Sequence, residues 1–124
     1  MESGALGTVF QDGDIIVRQG DSGDCMYVIQ EGKVRILIEK EGQTTLITEL
    51  KEGEFFGEMA IFEREVRSAT VLSFGKSRLI TVDKKNFLRR IHEDPALVFR
   101  IVKIMSHRLR DLNEKFATLK GTKN

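Results

Sequence analysis

The chain has 124 residues, 40% of them apolar and 31% charged, with one cysteine; this is enough for a single domain over residues 1–124 and too little for two. One thiol excludes an intramolecular disulfide framework, and no run reaches the roughly 18 apolar residues that a membrane span needs. The net charge of +1 hides an asymmetry: residues 1–75 carry 7 Lys/Arg against 14 Asp/Glu, whereas residues 76–124 carry 13 against 5, so two kinds of structure are expected along the chain.

Residues 1–9 contain an acid and lack the basic, apolar start of an export signal, which predicts a cytoplasmic location. Glycine then follows an acidic or polar residue at Asp12-Gly13, Gln19-Gly20, Ser22-Gly23, Glu31-Gly32, Glu41-Gly42 and Glu52-Gly53. Most of these pairs lie about ten residues apart, the punctuation of short antiparallel strands. Strands are predicted over 15–17, 25–29, 34–38, 44–50, 68–72 and 77–82. Val34, Ile36 and Ile38 alternate with Arg35 and Leu37, so one face is buried and the other is less polar than that of a free sheet. A rolled or sandwiched sheet over about residues 8–82 fits this pattern. Cys25, in a strand beside Met26, reads as a small buried hydrophobe.

After the last strand the period changes from two to about three and a half. Asp83 is a suitable N-cap for a short helix through Arg90. A longer helix begins near Pro95, and helices together fill about residues 84–120. Val98, Val102, Met105, Leu109, Leu112, Phe116 and Leu119 step by 4, 3, 4, 3, 4 and 3, a heptad seam that predicts pairing with a second chain, most simply as a homodimer. The alternative is one amphipathic helix packed wholly on its own domain. The basic residues of this half sit among amphipathic helical positions without an aromatic stacking platform, so a solvated helix face explains them and no nucleic-acid partner is expected. His92 and His107 lack a neighbouring set of ligands, so no metal is expected, and no nucleophile and base stand at a spacing that suggests an enzyme.

The most specific chemistry lies between sheet and helices. The segment from Phe55 to Val71 combines Gly57, Glu58, a short apolar turn and then Arg67 and Ser68 as a new strand begins. One helical turn over Met59 to Phe62 would offer main-chain amides to an anion, and Arg67 could close on the same anion. A carboxylate at Glu58 repels phosphate and wants a hydroxyl donor. The pattern therefore describes a sugar ligand with an anion at one end and a free hydroxyl at the other. A structural Arg67–Glu58 ion pair in a domain without ligand is the alternative.

The run FGEMAIFEREVRSA resembles the phosphate-binding cassette of the cyclic nucleotide-binding domain family, and the resemblance covers nearly the whole chain. It implies a mainly β fold with flanking helices: an eight-stranded antiparallel, jelly-roll-like β-roll, a short helix and a long C-terminal helix that relays occupancy. It implies that Gly57 allows the close turn, that Glu58 accepts from the ribose 2′-hydroxyl and that Arg67 pairs with the cyclic phosphate. Ser68 and the amides around Met59 and Ala60 would add hydrogen bonds, and Gly32 would close the hairpin that supports the pocket. Leu109 or Arg110 of the long helix would meet the base. The ligand so implied is cyclic AMP or cyclic GMP; serine after the arginine is compatible with cyclic AMP without demanding it. Family transcription factors continue into a DNA-binding domain, which this sequence, ending after the long helix, does not supply. The expected role is a regulatory sensor whose output passes through the dimer or a protein effector in trans. The alternative is a nucleotide-independent dimerisation module with the same fold.

Overall fold

The computed structural model describes residues 7–63 and 65–121; the side chains of Glu65, Leu119 and Lys120 are outside that description. Strands β1 (Thr8–Phe10), β2 (Ile15–Val17), β3 (Ser22–Gly23), β4 (Cys25–Lys40), β5 (Gln43–Lys51) and β6 (Phe55–Phe56) lead to helix α1 (Met59–Phe62). β7 (Glu65–Val66) and β8 (Thr70–Asp83) follow, then α2 (Lys84–Glu93) and α3 (Ala96–Gly121). The backbone divides into two compact units, Met1–Phe87 and Leu88–Asn124.

The sheet is built on two long strands. The predicted strands 25–29 and 34–38 are one strand, β4, of 16 residues; of the predicted strand 68–72 only residues 70–72 are extended, and they join 77–82 in β8, of 14 residues. Straight, β4 would reach about 50 Å, more than a domain of this size spans, so it must bend. Register shifts against β8 at Ile29/Glu31 and Glu31/Lys33 supply the bend. Gly32 sits there at φ +87, where a side chain would run into the backbone of Lys76 and Ser77. It therefore serves a bulge inside β4 and does not close a hairpin, contrary to the expectation from sequence.

Each long strand serves two sets of neighbours. Toward one end, Met26 to Ile29 pair with Leu79 to Val82, flanked by β1 on β8 and β6 on β4. Toward the other, Val34 to Leu37 pair with Thr70 to Ser73, flanked by β2 and β5. All pairings are antiparallel. The six-stranded sheet is not closed into the expected eight-stranded roll, because β3 and β7 pair only with each other as a separate two-residue ribbon. Buried side chains from both ends, Ile29, Leu79 and Phe56 with Val34, Leu50 and Val71, share one core cluster. Each contributes roughly 1.5–3 kcal/mol by leaving water.

The predicted change of period holds. Asp83 Oδ1 accepts from the Asn86 amide at 2.8 Å, capping α2 as expected. Phe87 is buried, with its ring edge-on to Phe62 at 6.2 Å between centroids. α3 starts one residue after Pro95, where the Leu97 amide donates to the Asp94 carbonyl and Arg100 pairs with the Asp94 carboxylate at 2.8 Å. Its 26 residues extend about 39 Å. Val98, Val102, Leu109, Leu112 and Phe116 are exposed and Met105 is half-buried; the Leu119 side chain lies outside the described residues. Among the described residues no helix is long and apolar enough to cross a membrane.

Candidate ligand-binding site

The segment singled out from sequence is threaded through the short elements of the first unit. Phe55 and Phe56, both buried, hold it to β4 opposite Val28 and Tyr27. The chain then reverses at Gly57, φ +78, a conformation that costs glycine little. Glu58 takes helical angles at the N-cap of α1, where its side chain makes no capping hydrogen bond. Ala60 and Ile61 are buried, while Met59 is exposed. The amides of Ala60 and Ile61 donate to the carbonyls of Gly57 and Glu58 at 3.2 and 3.0 Å, so the turn itself already engages the Ala60 amide.

Val66 and Glu65 pair with Ser22 and Gly23, and this ribbon delivers Arg67. The Arg67 amide donates to the Asp21 carbonyl at 2.7 Å, and its carbonyl accepts from the Gly20 amide at 2.9 Å. With both main-chain groups held, the side chain runs inward and is only 9% exposed. Nη2 donates to the Cys25 carbonyl at 2.7 Å and lies 3.8 Å from Cys25 Sγ. The guanidinium carbon stands 5.9 Å from the centre of the Tyr27 ring, within reach of a cation–π attraction. A side chain on Gly23 would overlap the guanidinium, and one on Gly57 would crowd it. Ser22-Gly23 is therefore not the turn expected from sequence: Gly23 is a buried strand residue that leaves room for arginine.

The hydrogen bonds described for this buried cation go to the carbonyl and thiol of Cys25. A buried guanidinium is costly to keep from water and favours an anion beside it. Arg67 opens on a cleft of about 430 Å³ whose wall includes Arg18, Asp21, Asp24, Cys25 and Tyr27, in the size range of small-molecule sites. Tyr27 stacks on Phe56 with centroids 5.1 Å apart. Burial pushes its phenol up to about 12, a hydrogen bond with Cys25 adds to the rise, and Arg67 opposes it.

The structure thus brings Gly57 and Arg67 together and leaves Ser68 exposed on the residue that follows. Leu109 and Arg110 are exposed on α3, in the second unit. Among the described residues no cluster of three side chains could hold a metal ion, and His92 and His107 are both exposed. Sequence reasoning missed Gly23 and Tyr27 as neighbours of the arginine. It also misread Cys25, which is half-buried with its carbonyl and thiol toward the guanidinium. The one available signal was the single tyrosine, placed in a strand among aliphatic residues.

Comparison with known proteins gives this arrangement a family. Residues 8–94 match the family described as cyclic nucleotide-binding domain. The cAMP-dependent protein kinase regulatory subunit of Mucor circinelloides f. lusitanicus is 39% identical over 80 residues, which is 64% of this chain and 19% of that protein. The Thermus thermophilus catabolite activator protein superposes with a TM-score of 0.80 at 27% identity, over 91% of this chain and 54% of that one. The EAL enzyme Bd1971 in its cAMP-bound form gives a TM-score of 0.63 at 35% identity, over 90% of this chain and 30% of that one. This chain spans a minor part of the kinase subunit and the EAL enzyme, and about half of the activator. It belongs to the cyclic nucleotide-binding domain family and is related to the regulatory domains of the catabolite-activator type.

Proposed function

We propose that this chain is a regulatory sensor that binds a cyclic nucleotide, cyclic AMP or cyclic GMP, at the cleft beside Arg67. The observation that carries the reading is the Arg67 guanidinium, buried at 9% exposure on the wall of the cleft and close to Gly57 at the start of the cassette turn. A cyclic phosphate brings negative charge to this guanidinium and accepts charge-assisted hydrogen bonds from it. Glu58 takes the ribose 2′-hydroxyl, and Ser68 with the amides around Met59 and Ala60 completes the phosphate contacts. Relatives support this chemistry, since the EAL enzyme's structures include a cAMP-bound and a cGMP-bound form.

The base reaches Leu109 or Arg110 of α3, and occupancy changes the position of that helix or the geometry of a dimer formed along its seam. The chain catalyses nothing itself; it works in the cytoplasm, without nucleic acid, through its dimer partner or a protein effector in trans. Calorimetry with cyclic AMP, cyclic GMP and linear AMP tests the reading. Preference for a cyclic nucleotide is expected, and Arg67→Ala should lower its affinity by roughly 30-fold or more, the cost of unpairing a buried charge contact. Equal weak binding of all three, unchanged in Arg67→Ala, would overturn the reading in favour of a nucleotide-independent interaction module.

A further inference from the structure

The loop between β2 and β3 holds the sheet and the arginine at the same time. Its anchor is Gln19. The carboxamide Nε2 donates to the Glu39 carbonyl at 2.9 Å, and Oε1 accepts from the Glu39 amide at 2.8 Å. The Gln19 main-chain amide donates to Thr70 Oγ1 at 2.9 Å. Gln19 is thus bound to the outer end of β4 and the first residue of β8 at once.

The position of these bonds explains why the residue is a glutamine. The β4–β8 ladder stops at Leu37 opposite Thr70. If β8 extended two residues further back, Ser68 would face Glu39 and satisfy its amide and carbonyl. A carboxamide carries the same donor and acceptor as a peptide group. Gln19 fills the vacated rung, so residues 67 to 69 can leave the sheet without orphaning the main chain of Glu39.

The next two residues use that anchorage. Gly20 donates to the Arg67 carbonyl at 2.9 Å, Asp21 accepts from the Arg67 amide at 2.7 Å, and the Asp21 amide closes the turn on the Arg18 carbonyl at 3.1 Å. We infer that Gln19 is a positioning residue for Arg67: by standing in for a strand rung it fixes the 18–21 turn, which grips both main-chain groups of the arginine and sets where the guanidinium meets the ligand's anion. This rests on the function proposed above only in its last step, the anion. The other steps concern the free protein. Displacing a charged group by about an ångström is enough to spoil its fit to a bound anion.

Two variants test the inference. Gln19→Ala removes both carboxamide bonds; Gln19→Glu keeps size and acceptor but sets an oxygen against the Glu39 carbonyl. Amide hydrogen exchange in the free protein is the first readout. At least one variant should exchange the Gly20 and Arg67 amides roughly tenfold faster or more, with Val34 and Leu79 unchanged. Exchange unchanged at Gly20 and Arg67 in both variants overturns the inference, and so does a uniform acceleration that includes Val34 and Leu79. The second readout is calorimetry with cyclic AMP, where Kd should rise about tenfold. If the unaltered protein binds no cyclic nucleotide while the selective acceleration is present, the positioning stands and the proposed function falls.

Discussion

A methyl group placed on Gly57 would stand 2.7 Å from Nη1 of Arg67. The glycine also sits at φ +78, so two independent physical costs meet there. Gly57→Ala is expected to lower stability by about 1–2 kcal/mol through the left-handed backbone alone. It should weaken cyclic nucleotide binding further by pushing the guanidinium aside. Urea unfolding and calorimetry separate the two effects; a variant as stable and as tightly binding as the parent would show that the guanidinium has room to spare.

Tyr27 provides a spectroscopic test in the same cleft, because it is the only tyrosine and the chain has no tryptophan. Its phenol is raised from 10.0 to about 12, first by burial and then by its hydrogen bond with Cys25. The raised value means that the folded protein holds this proton more tightly than the unfolded chain. The associated stability is therefore fully present below pH 10 and is lost as pH rises through about 12. Absorbance of the phenolate should appear near the upper value in the folded protein. Titration near 10 in the native state would mean that the ring is more solvated than the structure shows.

The hydroxyls of Ser73 and Ser77 predict an asymmetry between two similar substitutions. Ser73 Oγ lies 2.6 Å from the Gly75 carbonyl and 2.6 Å from Ser77 Oγ, with both serines buried. If Ser73 donates to the carbonyl, Ser77 must donate to Ser73. Ser77→Ala leaves Ser73 with its carbonyl partner and should cost about 1 kcal/mol, whereas Ser73→Ala strands a buried hydroxyl and should cost roughly 1–3 kcal/mol. Equal losses in denaturant melts would reverse the assigned donor order or point to a second partner for Ser77.

On α3, Leu109 and Leu112 are each about 60% exposed on the heptad seam. Replacing both with glutamate should turn a dimer into a monomer in sedimentation while the sheet melts at an unchanged temperature. A parent protein that sediments as a monomer would leave the seam without the role assigned to it.

Turns and helix starts were legible in the sequence because each depends on a few adjacent residues. Gly13, Gly20, Gly42 and Gly53 all take positive φ at the expected turns, and Asp83 caps its helix. The turn at Gly57 and the helical turn Met59–Phe62 were legible for the same reason, since the residues that make them are adjacent in the chain. Gly32 and Gly23 were read wrongly because a glycine's letter does not say whether it bends the chain or clears space. What decides is the partner, Ser77 for one and Arg67 for the other, more than forty residues away. Cys25 was misread and Tyr27 missed on the same ground, since their relation to Arg67 exists only once β4 lies beside the ribbon that delivers the arginine.

β4 and β8 each run unbroken through both ends of the sheet. The two ends thus stay joined through both strands, while the ladder between them is already interrupted at the register shifts beside Gly32. What hangs on this frame within the first unit is short: the two-residue strands β3, β6 and β7 and the single turn of α1. The division between a long frame and short appended elements is thus written into strand length, and Arg67 follows directly on one of the short elements.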